Sequence, residues 1–291
     1  MCKEEIPETE KSTRAFQATI TKVALYNFKT GKNFSQEELE VLKAIQPYPN
    51  FVKLIASAIH TKERSPWEMH EKPVILCSLF EEGDLKADTE PKDMDLPHPR
   101  RPLTIGLLIK YTGGIADGMA VMHDQLSLFH RDLKAANIFV EGDKIGIGDF
   151  GKTRKASEMP NAYYGTPRYS APEVFQNKTH QSKPTDMYAL GHIIKELMDK
   201  NTTLFWENEL EIIYHSQTPE PQMITQMTDK MKSFASEFQN WPGTTVIDQL
   251  KRIVGQLLEV DPTKRMTASQ LSAAIKKISL NLPPDMAVKE I

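Results

Sequence analysis

No glycine occurs among the first thirty residues of this 291-residue chain; all 14 lie after Thr30. A glycine-rich turn that brings backbone N–H groups up against a phosphate is therefore excluded from that segment. Cysteine is nearly as scarce, with Cys2 and Cys77 far apart and in no Cys-x-x-Cys pair. That excludes a disulfide framework and a structural zinc site, and points to a reducing, cytoplasmic compartment. Neither charge dominates: 36 Lys and Arg against 39 Asp and Glu leave −3. Nothing in that balance suggests nucleic acid or an anionic membrane surface as a partner. No apolar run approaches the roughly 20 residues that span a bilayer, so no membrane insertion is expected. The N-terminal MCKEEIPETEKSTR is charged and has no apolar centre, unlike a secretory signal. No fixed-period repeat is present.

What the chain does have is 40% hydrophobic residues, enough for a packed core. Its length suits one two-lobed domain or two modest ones. Residues 15–85 read as short strands around one helix. AFQATI and KVALYNF are two strands, the second placing Ala24, Tyr26 and Phe28 on one face and Val23 and Leu25 on the other. Ser35 opens a helix, with Glu38 three residues on as in a capping box, and QPYPN stops it near Ile45. FVKLIASAI and PVILCSLF are further strands. Residues 86–102, charged and proline-rich, read as a surface loop.

From Thr104 the pattern turns helical, with Leu108, Tyr111, Ile115, Met119 and Met122 on one face. Gly113, Gly114 and Gly118 cost this helix about 1 kcal/mol each relative to alanine. Close packing of the helix backbone is the expected compensation. NIFV-EGDK-IGIGD reads as a hairpin, and helices are expected around 186–199, 222–238, 245–258 and 267–279. Residues 1–14 and the tail 281–291 read as flexible ends.

The chemistry concentrates in residues 130–151, HRDLKAANIFVEGDKIGIGDFG. This block resembles the catalytic segment of eukaryotic-type protein kinases: His130-Arg131-Asp132 with Lys134 and Asn137 matches HRDxKxxxN, and Asp149-Phe150-Gly151 matches DFG. GTPRYSAPE (165–173) resembles the family's substrate-docking segment. DMYALG (186–191) resembles its DxWxxG helix with tyrosine for tryptophan, and DPTKR (261–265) its closing arginine motif. Glu38 stands where the family has a helix glutamate.

The resemblance spans about residues 15–280. It implies an α+β, two-lobed protein kinase fold, with a small antiparallel β lobe carrying one helix (about 15–85) and a larger, mainly α lobe (about 86–280). It implies ATP with Mg2+, or Mn2+ in its place, as cofactors, and a protein substrate or regulatory protein as partner. Asp132 would accept the substrate hydroxyl's proton and Lys134 would neutralise the γ-phosphate. Asn137 and Asp149 would supply hard oxygen ligands to the metal. Ala24 and Phe139 would sandwich the adenine, Cys77 would take the gatekeeper position, and Ser78, Leu79 and Phe80 the hinge. Thr166, expected to bridge Asp132 and Lys134, favours serine/threonine over tyrosine substrates.

Structural roles are implied too. Glu173 should pair with Arg265, Asp186 should hold the catalytic loop's backbone, and His130, Phe150, Leu42 and Leu54 should stack as a spine. Arg131 suggests capture of a phosphate on the loop 152–164, with Thr153, Ser157, Tyr163 and Tyr164 as acceptors.

The family pattern fails at two places. Tyr26 stands where the strand motif VAIK carries the lysine that pairs Glu38 and the α/β-phosphates. The glycine-rich loop is missing, its three positions falling near Glu8, Glu10 and Thr13. Two readings follow: an ATP-dependent protein Ser/Thr kinase with an atypical N-lobe, whose missing charge Lys11 or Arg14 would replace, or a pseudokinase acting as a protein-binding scaffold. A small-molecule phosphotransferase is disfavoured, because GTPRYSAPE implies a peptide-docking groove.

Overall fold

The computed structural model describes residues 23–24, 35–65, 68–86, 102–158, 165–177, 181–199, 212–213 and 221–290. The chain divides into two compact units, one of Met1–Ser35 with Val52–Leu79, the other of Gln36–Phe51 with Phe80–Ile291.

In the first unit, β1 (Val23–Ala24), β2 (Leu54–Ser65) and β3 (Glu68–Ser78) form an antiparallel sheet in the order β1-β3-β2. Val23 lies across from Ser78 and Ala24 across from Cys77. The rest of KVALYNF, including Tyr26, and all of AFQATI fall outside the described residues. β2 and β3 outrun their apolar segments: the ladder continues through His60↔Lys72 and Thr61↔Glu71 to Ser65↔Glu68. Two antiparallel strands satisfy each other's backbone groups whatever their side chains, so the hairpin extends past the alternation that marks it in sequence.

The second unit begins with α1 (Gln36–Ala44). Glu37 and Glu38 in its first turn and Lys43 in its last complement the helix dipole. The helix buries Glu38, Val41 and Leu42. Next comes α2 (Ile105–Ala120), opened by Thr104, whose Oγ1 accepts from Leu107 N at 3.2 Å, and continued by a π-turn over Val121–Gln125. Leu108, Tyr111, Ile115, Met119 and Met122 are buried, as the periodicity requires. The expected close packing is present: a Cβ on Gly114 would lie 2.7 Å from Ile145 Cγ1, and one on Gly118 2.6 Å from Ile147 Cδ1. Contrary to the reading of apolar runs, Ile105–Gln125 is long and apolar enough to cross a membrane. Its apolarity serves the core, where α2 packs on α7 (Ala268–Leu280) and on the hairpin below.

That hairpin pairs β5 (Ile138–Glu141) with β6 (Lys144–Ile147), and β6 is tied to the turn after α1 by Ile147 N donating to Asn50 O at 3.0 Å. A shorter pair joins β4 (Leu128–Phe129) to β7 (Arg154–Lys155). The helices α3 (Pro172–Asn177), α4 (Lys183–Met198), α5 (Pro221–Gln239) and α6 (Val246–Leu257) follow, with α7 after them. The π-turn, α3 and the β4–β7 pair are too short to show a period in sequence. α4 is the central element, buried from Thr185 to Leu197.

The tail is docked. α8 (Pro284–Ala287) packs on α2, and Ile105 N donates to Lys289 O at 2.9 Å. The tail thus satisfies one of the orphan N–H groups that open α2, a contact that polar, proline-containing sequence does not announce.

Candidate functional site

The segment between β4 and β5 carries Asp132, and its neighbours hold it at several points. Lys134 Nζ lies 3.0 Å from Asp132 Oδ2, and Thr166 Oγ1 donates to Asp132 Oδ1 at 2.9 Å. Lys134 Nζ also reaches Thr166 Oγ1 at 3.3 Å. A carboxylate, an ammonium and a hydroxyl from two separate stretches of chain thus close a ring. Asn137 Nδ2 donates to the Asp132 carbonyl at 2.8 Å, which turns the carboxamide oxygen away from that carbonyl. The Asp132 side chain keeps 14% of its exposure and Lys134 26%, so the group is held but open to solvent.

Asp149 follows β6 with φ 59°, a left-handed backbone rare outside glycine. Gly151 lies between two carboxylates: a Cβ there would be 3.5 Å from Glu38 Oε2 and 3.6 Å from Asp149 Oδ1. Phe150 is buried, with its ring 5.6 Å from His130 and 6.2 Å from Phe51. Leu42 is buried in the same unit, whereas Leu54 belongs to the first.

The loop backbone hangs from Asp186 in the first turn of α4. Its carboxylate accepts from His130 N at 2.8 Å and Arg131 N at 2.9 Å, and meets His123 Nε2 at 2.9 Å. Burial alone would push this carboxyl up. The His123 hydrogen bond, the His123 and His130 imidazoles and the Arg131 N–H outweigh it and hold Asp186 below the usual carboxylate range.

Beyond Thr166, Glu173 in α3 pairs with Arg265 through both oxygens, at 2.7 and 3.0 Å. Arg265 lies over the ring of Tyr188, which fills the place of the expected tryptophan and is fully buried. Tyr169 donates to Glu196 Oε2 at 2.9 Å, and Arg168 Nε lies 2.7 Å from Glu196 Oε1.

Of the loop residues expected to accept phosphate, Thr153 is 1% exposed and points at His130 O, 3.5 Å away, so it is closed to a modifying enzyme. Ser157 is exposed; Tyr163 and Tyr164 lie outside the described residues.

The residues expected around adenine fall in both units. In the first, Cys77 is a buried thiol outside any disulfide, and Ser78 exchanges two bonds with Lys53: its Oγ accepts from Lys53 N at 2.9 Å, and its N donates to Lys53 O at 2.8 Å. Leu79 is 37% exposed. In the second unit, Phe80 and Phe139 face each other at 6.3 Å, and Phe80 covers Gly146 so closely that a Cβ there would meet its ring at 2.3 Å. Sequence reasoning missed this contact and also that of Gln181, whose Oε1 accepts from Arg131 Nε at 2.8 Å, because neither carries a motif or a period.

Oxygen donors at Asn137 and Asp149 suit a hard divalent cation. Among the described residues no group of three or more His, Cys, Asp or Glu is arranged to hold a metal.

A sequence model of the protein kinase domain matches residues 10–274. Among curated proteins, the chain is 31% identical over 215 residues to serine/threonine-protein kinase TAO3 of Xenopus laevis, covering 70% of this chain and 22% of that protein. It is 25% identical over 269 residues to TAO3 of Homo sapiens, covering 89% and 26%. To a probable serine/threonine-protein kinase of Dictyostelium discoideum it is 30% identical over 164 residues, covering 55% and 9%. The chain therefore spans about a quarter or less of the length of these relatives.

Proposed function

The chain belongs to the protein kinase family, and on that premise we propose that it transfers the γ-phosphate of ATP to serine and threonine hydroxyls of protein substrates. The observation that carries the reading is the ring of Asp132, Lys134 and Thr166. Asp132 receives the proton, or a hydrogen bond, from the substrate hydroxyl. Lys134 stands beside it as a positive charge for the transferring group, whose transition state spreads negative charge over its oxygens. Asn137 and Asp149 would hold a Mg2+ or Mn2+ ion, which would supply positive charge to the phosphates. Thr166, held on Asp132, and the serine/threonine kinases among the relatives favour an aliphatic hydroxyl over a phenol.

A second reading is a kinase-like scaffold that binds protein partners without catalysis. Tyr26 in place of the lysine, and a glycine-free stretch from Met1 to Thr30, favour it. Loss of a charge-assisted phosphate contact removes a few kcal/mol, or two or more decades of rate. Radiolabel transfer from ATP with Mg2+ or Mn2+ tests both readings, using wild type, Asp132→Asn and Tyr26→Lys. Transfer abolished by Asp132→Asn and raised by Tyr26→Lys is expected. No transfer by wild type, together with a thermal shift on ATP addition, overturns the first reading in favour of the second.

A further inference from the structure

We propose that Gln181 is a positioning residue for Asp132, acting through the backbone of Arg131. The proposal rests on the reading of Asp132 as the group that takes the substrate proton.

Arg131 adopts φ 70°, so the residue before Asp132 has a conformation that an arginine does not prefer. Surrounding bonds must over-determine it. Gln181 is buried and makes two of them: Arg131 Nε donates to Gln181 Oε1 at 2.8 Å, and Gln181 Nε2 donates to the Arg131 carbonyl at 3.0 Å. The orientation of the carboxamide is forced, since Arg131 Nε can only donate and the carbonyl can only accept. Asp186, five residues on at the start of α4, takes the Arg131 N–H. One helix end therefore grips Arg131 at its amide, its carbonyl and its guanidinium.

The consequence for Asp132 is geometric. The peptide plane before it is held by the carboxamide of Gln181, and the plane after it by that of Asn137. Packing does not do this alone, because a small cavity lined by Arg131, Asp132, Thr166, Gln181 and Thr185 adjoins the loop on this side. A loop bordering a gap can shift unless hydrogen bonds prevent it. Glutamate at 181 could still accept from Arg131 but could not donate to its carbonyl, so only an amide of this length satisfies both partners.

The test uses the full chain with Gln181→Met, which removes donor and acceptor at similar length, and Gln181→Glu, which removes only the donor. Amide hydrogen exchange is read by mass spectrometry. Peptides covering residues 129–134 should exchange about tenfold faster in both variants, while α2 and α6 keep wild-type protection. In phosphoryl transfer, kcat should fall about 10- to 100-fold with KM for ATP changed less than about twofold. Unchanged exchange at 129–134, wild-type behaviour of Gln181→Glu, or acceleration spread evenly over α2 and α6 overturns the proposal, as does an unchanged kcat. If wild type itself transfers no phosphate, the transferase reading fails on that result, and the exchange measurement still decides whether Gln181 holds the segment that carries Asp132.

Discussion

Replacing Glu173 with alanine should destabilise the protein by about 3 kcal/mol, and the size of that effect follows from where the charge is left. The Arg265 side chain is 0% exposed and Glu173 13%. Glu173 accepts from both terminal nitrogens of the guanidinium, at 2.7 and 3.0 Å. Breaking a buried pair by removing one partner typically costs about 3–5 kcal/mol, because the remaining charge has no water to return to. Here Arg265 keeps the carbonyls of Glu259, at 2.9 Å, and Pro184, at 2.7 Å, which places the loss at the lower end. Removing both charges, with Glu173→Ala and Arg265→Met, eliminates the stranded cation. The double variant should therefore lose less than the sum of the singles by about 1–2 kcal/mol. Urea denaturation followed by far-ultraviolet circular dichroism on all four proteins closes the cycle. A loss below about 1 kcal/mol for Glu173→Ala, or strict additivity, would refute the argument that this pair matters through the burial of its cation.

His192 is fully buried in α4, and burial, reinforced by the charges of Arg168 and Lys195, pushes its pKa down to about 3. Its folded pKa lies below the unfolded value, so the unfolded chain binds the extra proton and stability should fall as pH drops below about 6.5. The slope is about 1.4 kcal/mol per unit, or roughly 2 kcal/mol at pH 5. Urea midpoints at pH 8 and pH 5 should show that slope in wild type and lose it in His192→Gln. Asp186 works in a lower window: its depressed pKa means stability present above the unfolded value of about 3.8 and lost as pH falls further, a dependence that Asp186→Asn should remove. Gly114→Ala should destabilise by about 1 kcal/mol despite alanine's better helix propensity, since its Cβ meets Ile145 Cγ1 at 2.7 Å, and Ile145→Val should recover part of the loss. Gly255→Ala should cost about 2–3 kcal/mol, because its Cβ would lie 2.4 Å from the backbone nitrogen of Gln239, which cannot rotate away; comparing the two melting temperatures checks the contrast.

The elements legible in the sequence are those whose signal is local. α2 shows its buried face at helical spacing, the hairpin of β5 and β6 shows its turn, and α6 and α7 lie where helices are expected around 245–258 and 267–279. The motif around Asp132, Asn137 and Asp149 is equally local, because those residues sit within about twenty positions of one another. Charged strands such as the outer half of β2 and β3 carry no such signal, since what holds them is the partner strand.

By itself, then, the sequence determined the family, the order of the main helices and the residues that carry oxygen and charge to one stretch of chain. It also determined that Tyr26 stands where a lysine is expected. Only the tertiary structure decided that Thr153 is closed off, that the tail caps α2, and that Gln181 grips the residue before Asp132. Those contacts join residues between 23 and 184 positions apart. A periodic pattern reports which face of an element is buried, but not which distant side chain satisfies a particular buried N–H or carbonyl, and that pairing is settled only when the elements pack.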